Sequence, residues 1–299
     1  MTSIQRDPKV AYVHTKEGDL HYMDWQGIGP QVHILHANGF CAGTYTPLIE
    51  KLNGQLHMFA SDLRGHGNTL ALPKYPIRHW QIFANDLKDV IEGVMIPPII
   101  GVGHSLGAVC TFIAAGLYPH LFSGIVMMDP VILPVGKLRL LTLLRFLGLS
   151  GKVPLAKGAR RRRKVFAGKK QALERFMSGR GIFKRWSPEF IEAYLECGLL
   201  EKDRQTAVLK CDPELEAQIY ESVPTNIWTY ATQIRCPVLV IRGEHSDVFK
   251  MKSAVRLKHL IPNCQIETIT QAGHFVPMEQ PHTCARHILT FATRYAIQS

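Results

Sequence analysis

Apolar runs of strand length alternate with helix-spaced segments through the first 130 residues, and this alternation constrains the fold more than any other feature. Residues 10–14 and 20–25 read as an opening pair of strands around the turn Glu17-Gly18-Asp19. A third strand at 31–36 runs into the loop Ala37-Asn38-Gly39-Phe40, followed by a helix at 46–52 and a strand at 56–61. Residues 79–94 place Trp80, Phe83, Leu87, Val90 and Ile91 at helical spacing, with Asp86, Lys88 and Asp89 between them. Residues 98–102 are a buried strand, 108–118 a helix closing on Pro119, and 124–128 another apolar strand.

At Pro130 the alternation stops, and it resumes near Cys236 with a strand at 237–241, a helix at 253–260, a strand at 265–270 and a last helix at 281–295. Strands alternating with helices predict a mostly parallel eight-stranded sheet covered on both faces. The interruption shows no clear strand but carries helix starts at Ser187-Pro188-Glu189 and Asp212-Pro213-Glu214. We therefore expect a core of residues 1–130 and 226–299, with 131–225 as a helical cap.

Charge marks the same boundary. The net charge is +11, yet residues 131–185 hold sixteen Lys or Arg and one acid, Glu174, whereas 186–225 hold three bases and nine acids. The positive charge thus belongs to half of one inserted region. A hydrophobic share of 46% and a charged share of 20% suit a globular protein with a large core. The seven cysteines are scattered, with neither C-x-x-C pairs nor a disulfide framework. With no apolar signal core near the N-terminus and no membrane-length apolar run, the expected compartment is the cytoplasm.

Gly103-His104-Ser105-Leu106-Gly107 joins the strand at 98–102 to the helix at 108–118. A serine on so sharp a strand-to-helix turn holds its hydroxyl clear of the backbone, and the two glycines keep side chains out of the bend. A serine hydroxyl becomes a nucleophile only when a base takes its proton, and a third group must orient that base. Candidates follow the last two strands: Asp247 in Arg242-Gly243-Glu244-His245-Ser246-Asp247, and His274 in Gly273-His274-Phe275.

These landmarks, in the order Ser105, Asp247, His274, resemble those of the α/β-hydrolase-fold serine hydrolases that carry a helical cap. Asp62-Leu63-Arg64-Gly65-His66-Gly67 is similar to the D-x-R-G-x-G turn common there, and residues 273–281 are similar to the region of the catalytic histidine. The resemblance implies Ser105 as nucleophile, His274 as general base and Asp247 as orienting acid. Glu244 is a rival in the same loop, and Asp129 another, at a strand end that some members use for the acid; Asp129 is read as a buried cap at the mouth of the insertion. Leu106 N–H is one expected oxyanion donor and Phe40 N–H the other, although aligning His36 instead of Gly39 with the family's His-Gly gives Asn38.

Asn38, His104, Trp186 and Phe275 are candidate substrate-pocket residues, with His104 read as packing beside the nucleophile and Phe183 as equally suited to core. The implied activity is cofactor-free hydrolysis of a small-molecule carboxylic ester. Thioester, lactone or carbon–carbon hydrolysis, acyl transfer, and non-catalytic ligand binding on the same fold remain alternatives. Halide and epoxide chemistry is disfavoured, because those relatives place aspartate where Ser105 stands. Nothing resembles a metal site or dinucleotide fingerprint. The run Arg160-Arg161-Arg162-Arg163-Lys164 lacks an accompanying nucleic-acid motif and reads as a solvated face, with the acidic half of the insertion as a candidate ion-pair partner. Leu138, Leu140, Leu141, Leu143, Leu144 and Leu147 line a broad arc of one helix, expected to pack on the body, with pocket lining or a lipid-surface contact as sharper readings. Oligomeric state is left open.

Overall fold

The computed structural model describes residues 7–296 except Asn53, Pro73, Lys74, Arg180 and Arg204; the N-terminal segment up to Arg6 lies outside them. The core runs β1 (Lys9–Thr15), β2 (Gly18–Asp24), β3 (Gln31–Leu35), α1 (Thr46–Glu50), β4 (His57–Ser61), α2 (Gln81–Val94), β5 (Ile99–His104), α3 (Leu106–Leu117) and β6 (Phe122–Met128). An inserted segment follows, with α4 (Val135–Phe146), α5 (Pro154–Arg160), β7 (Val165–Phe166), α6 (Gly168–Met177), α7 (Pro188–Gly198), β8 (Leu199–Asp203), β9 (Thr206–Leu209) and α8 (Pro213–Glu221), and α9 (Ile227–Ala231) lies just beyond it. The chain closes with β10 (Val238–Gly243), α10 (Met251–Leu260), β11 (Cys264–Ile269), α11 (Val276–Glu279) and α12 (Pro281–Tyr295).

The main sheet has eight strands in the order β1-β2-β4-β3-β5-β6-β10-β11. β1–β2 and β2–β4 pair antiparallel, and every later pair is parallel. Successive side chains of a strand point to opposite faces, and the central strands separate into two cores accordingly. Val126, Met128, Leu239 and Ile241 join one core with α1 and α12. Ile125, Met127, Val238 and Val240 join the other with α2, α3 and α10. The apolar stripe expected on α2 is buried at Phe83, Leu87, Val90 and Ile91.

The insertion departs from the all-helical expectation. β7, β9 and β8 form a small antiparallel sheet. These strands escape a pattern search because β7 spans two residues and β8 is exposed at four of its five positions. Both anticipated helices begin where expected: Pro188 opens α7, although Ser187 makes no capping hydrogen bond from its side chain, and Asp212 accepts the Glu214 N–H at 2.8 Å in front of α8. Because the strands from β4 onward are parallel, their C-terminal ends bring the following loops to one edge of the sheet. Among the described residues no helix is long and apolar enough to cross a membrane.

Candidate active site

Ser105 stands between the last residue of β5 and the first of α3 with φ 55° and ψ −111°. That conformation costs a residue with a Cβ roughly 1–3 kcal/mol and needs surroundings that enforce it. The flanking glycines allow it. A Cβ on Gly103 would lie 2.5 Å from Ala108 N and Gly107 O, and one on Gly107 would lie 2.2 Å from Leu35 O. The elbow is therefore pressed against the end of β3. Ser105 N–H also donates to Met128 O at 3.0 Å, which ties the elbow to the end of β6 and to the next residue, Asp129.

Three side chains stand in series. Ser105 Oγ is 2.9 Å from His274 Nε2, and His274 Nδ1 is 2.8 Å from Asp129 Oδ1. An ionised carboxylate only accepts, so Nδ1 carries the proton and Nε2 is left to accept from the serine hydroxyl. Asp129 is fully buried and also accepts Gly243 N–H at 2.9 Å and Ser246 Oγ–H at 2.6 Å. The expected partner of His274, Asp247, is not there: its side chain is exposed, and the structure puts Asp129 in its place. The reason lies in strand order. β6 sits between β5 and β10, so its first following residue falls between the serine and the histidine loop. Gly243, at the end of β10, and Ser246, in the loop after it, donate to Asp129, and that loop contributes no acid of its own. Glu244, the other rival, is exposed and accepts Gln271 N–H at 3.0 Å.

The loop after β3 is built by neutral histidines. His36 Nε2 accepts Leu63 N–H at 2.9 Å while its Nδ1–H donates to Ala37 O at 2.8 Å. His66 Nε2 accepts Gly39 N–H at 3.1 Å while its Nδ1–H donates to Arg64 O at 3.2 Å. Burial, with His36 beside it, pulls the His66 ring down to about 3, and burial also lowers His36. Asp62 Oδ1 accepts Ala42 N–H at 2.7 Å, so the D-x-R-G-x-G turn shapes this loop instead of facing a ligand. Phe40, the expected oxyanion donor, has its N–H engaged by Ala37 O at 3.1 Å. Asn38 N–H has no hydrogen-bond partner among the described residues, and Leu106, as the first residue of α3, lacks an acceptor within its helix.

His104 lies in this network and not on a pocket wall. It is fully buried, its Nε2–H donates to His274 O at 3.0 Å, and its Nδ1 accepts from Tyr45 Oη at 2.7 Å. Tyr45 Oη in turn accepts Ala37 N–H at 3.1 Å. Burial, helped by the nearby His274, holds His104 at about 3, so it stays neutral. A continuous chain thus joins the loop after β3 to the backbone of His274. Tyr45 and Ser246 carry no motif that would have singled them out in the sequence.

Aromatic rings from core and insertion close over these groups. Phe40 packs against Trp186 at 5.2 Å and Tyr194 at 5.5 Å between centroids. Trp186 meets Phe275 at 5.6 Å, and Phe275 meets His274 at 5.1 Å. Of the expected pocket residues, Trp186 and Phe275 are brought together here. Phe183 packs on Trp186 at 5.0 Å, within the same ring cluster. Asn38 reaches the insertion through Nδ2, which donates to Glu216 O at 3.0 Å. Ser105 is left 7% exposed.

The family profile described as the alpha/beta hydrolase fold matches residues 32–281. The chain belongs to the α/β-hydrolase fold family. Among its relatives, the 2-(acetamidomethylene)succinate hydrolase of Mesorhizobium japonicum is 25% identical over 270 residues, covering 89% of each chain. An uncharacterized carboxylesterase of Bacillus subtilis is 23% identical over 285 residues, covering 95% of this chain and 86% of the relative. The crystal structure of E-2-(acetamidomethylene)succinate hydrolase superposes with a TM-score of 0.76 at 22% identity, covering 95% of this chain and 98% of that one. Relatives of this α/β-hydrolase thus include hydrolases and esterases, and its eight-stranded sheet is the one expected from the alternation of strands and helices.

Proposed function

We propose that this α/β-hydrolase cleaves carboxylic esters through an acyl-enzyme formed on Ser105. The observation that carries the reading is the unbroken series Ser105 Oγ, His274 Nε2, His274 Nδ1 and Asp129 Oδ1, with links of 2.9 and 2.8 Å. His274 Nε2 takes the hydroxyl proton as Ser105 attacks the ester carbonyl, then returns it to the leaving alcohol. Asp129 fixes the tautomer and stabilises the imidazolium that forms. Leu106 N–H and Asn38 N–H are the two donors free to meet the developing oxyanion, which moves the second donor from Phe40 to Asn38. Water activated by His274 releases the acid. Residues 131–225 act as the cap, and Trp186 and Phe275 shape the entrance.

A fluorophosphonate probe should label the native protein and leave Ser105→Ala unlabelled. Equal labelling of both would defeat the serine mechanism. A series of p-nitrophenyl esters of increasing chain length then reads the acyl pocket. The Mesorhizobium relative is named for an acetamido-bearing substrate, which favours amide-bearing acids as the second reading. Cleavage of such an amide with background rates on every ester would favour it over the first.

A further inference from the structure

The helix α4 turns an apolar face outward. Its inward side is set by Leu138, which is buried, by Leu141, packed on the same core, and by Arg145. Arg145 donates from Nε to Glu221 O at 2.8 Å and from Nη2 to Val223 O at 2.6 Å, pinning the helix by that side. Positions 138, 141 and 145 share one helical face. On the other side Leu140 is 55% exposed, Leu143 52%, Phe146 84% and the following Leu147 55%. These residues recur at i, i+3, i+6 and i+7, one stripe along the outside of the helix. The broad leucine arc is thus divided, and only part of it packs on the body.

The charge beside the stripe is one-signed. Lys137 and Arg139 are exposed at its N-terminal end and have no acidic partner among the described residues. Several cations elsewhere in the insertion are answered, Arg160 by Glu214 and Glu221, Arg162 by Glu216, Lys164 by Asp212, and Lys169 by Glu196, whereas the exposed Lys157, Arg161, Lys170, Arg175 and Lys184 have no acidic partner among the described residues. Arg160, Arg162 and Lys164 of the basic run therefore clamp the two halves of the insertion together, and Lys137 and Arg139 add exposed positive charge beside the apolar stripe.

We propose that the outer face of α4 docks on an anionic lipid surface. An apolar stripe flanked by lysine and arginine matches a helix lying in the headgroup plane, with side chains reaching the acyl boundary and cations among the phosphates. A second copy of this chain fits less well, because α4 carries no acidic residue to meet Lys137 and Arg139. The inference does not depend on the ester reading, since it concerns only where the protein sits.

Sedimentation of the full chain with phosphatidylcholine vesicles, with and without phosphatidylglycerol, tests it. Binding is expected to the phosphatidylglycerol vesicles and to weaken with salt. Phe146→Asp, on a nearly fully exposed side chain, should lower the affinity about tenfold or more at unchanged Tm. Lys137→Glu with Arg139→Glu should lower it about fivefold for each charge removed. No binding to phosphatidylglycerol vesicles would overturn the proposal, as would native-like binding by Phe146→Asp. Concentration-dependent dimers that Phe146→Asp abolishes, without vesicle binding, would instead make the stripe a contact between copies.

Discussion

Two aspartates show how much one residue's role depends on its neighbours. Asp129 and Asp247 both follow sheet strands, yet one is fully buried under three donors and the other is exposed. If Asp129 orients His274, Asp129→Asn should lower kcat by about 1,000-fold or more, because the amide reverses the hydrogen bond that sets the tautomer. Asp247→Asn should stay within about twofold, as exposed polar substitutions usually do. The measurement is kcat/KM on the best p-nitrophenyl ester for both variants, and the opposite ranking would return the role to Asp247. Ser105 needed no such neighbours to be found. Its glycines are two residues away on either side, and the geometry they permit is local.

At the scale of elements, the chain from Ala37 N–H through Tyr45 and His104 to His274 O couples three loops at one edge of the sheet. Tyr45→Phe keeps the buried ring but strands a backbone donor and an imidazole acceptor, at a stability cost of about 1–3 kcal/mol. It should lower kcat about tenfold with KM little changed, since neither group reaches substrate. His104→Gln, which can still donate toward His274 O, should retain more activity than His104→Leu. Steady-state kinetics on the three variants, with Tm measured beside them, separates positioning from general loosening; equal losses in Gln and Leu would leave His104 as packing alone. In the insertion, α7 and α8 were legible from their proline starts and α4 from its leucine spacing, while α5 and α6 were not. The small β7-β9-β8 sheet was not, because strands this short and exposed carry no alternation.

For the whole molecule, buried neutral histidines tie stability to pH. Burial brings His33, His66 and His104 to about 3, against an ordinary 6.5. Between those values the unfolded chain binds protons that the folded chain refuses, so stability falls as pH drops below about 6.5 and is unaffected by these groups above it. Each contributes a slope of about 1.4 kcal/mol per pH unit within that window. Thermal melts followed by circular dichroism should show Tm declining already between pH 6.5 and 5, before most carboxylates titrate. A Tm that held steady down to pH 5 would contradict it.

What the sequence determined by itself was whatever short-range chemistry encodes. The alternation of strands and helices, the glycines around Ser105 and the proline-started helices at 188 and 213 all act within a few residues. Tertiary structure decided what depends on which segments lie side by side. Strand order placed Asp129 and not Asp247 against His274, and the turn at Ala37 engaged Phe40 N–H while leaving Asn38 N–H open. Packing likewise chose which leucines of α4 face inward. Hydrogen bonds and burial are properties of neighbours in space, and for these groups the neighbours come from loops and strands distant in the chain.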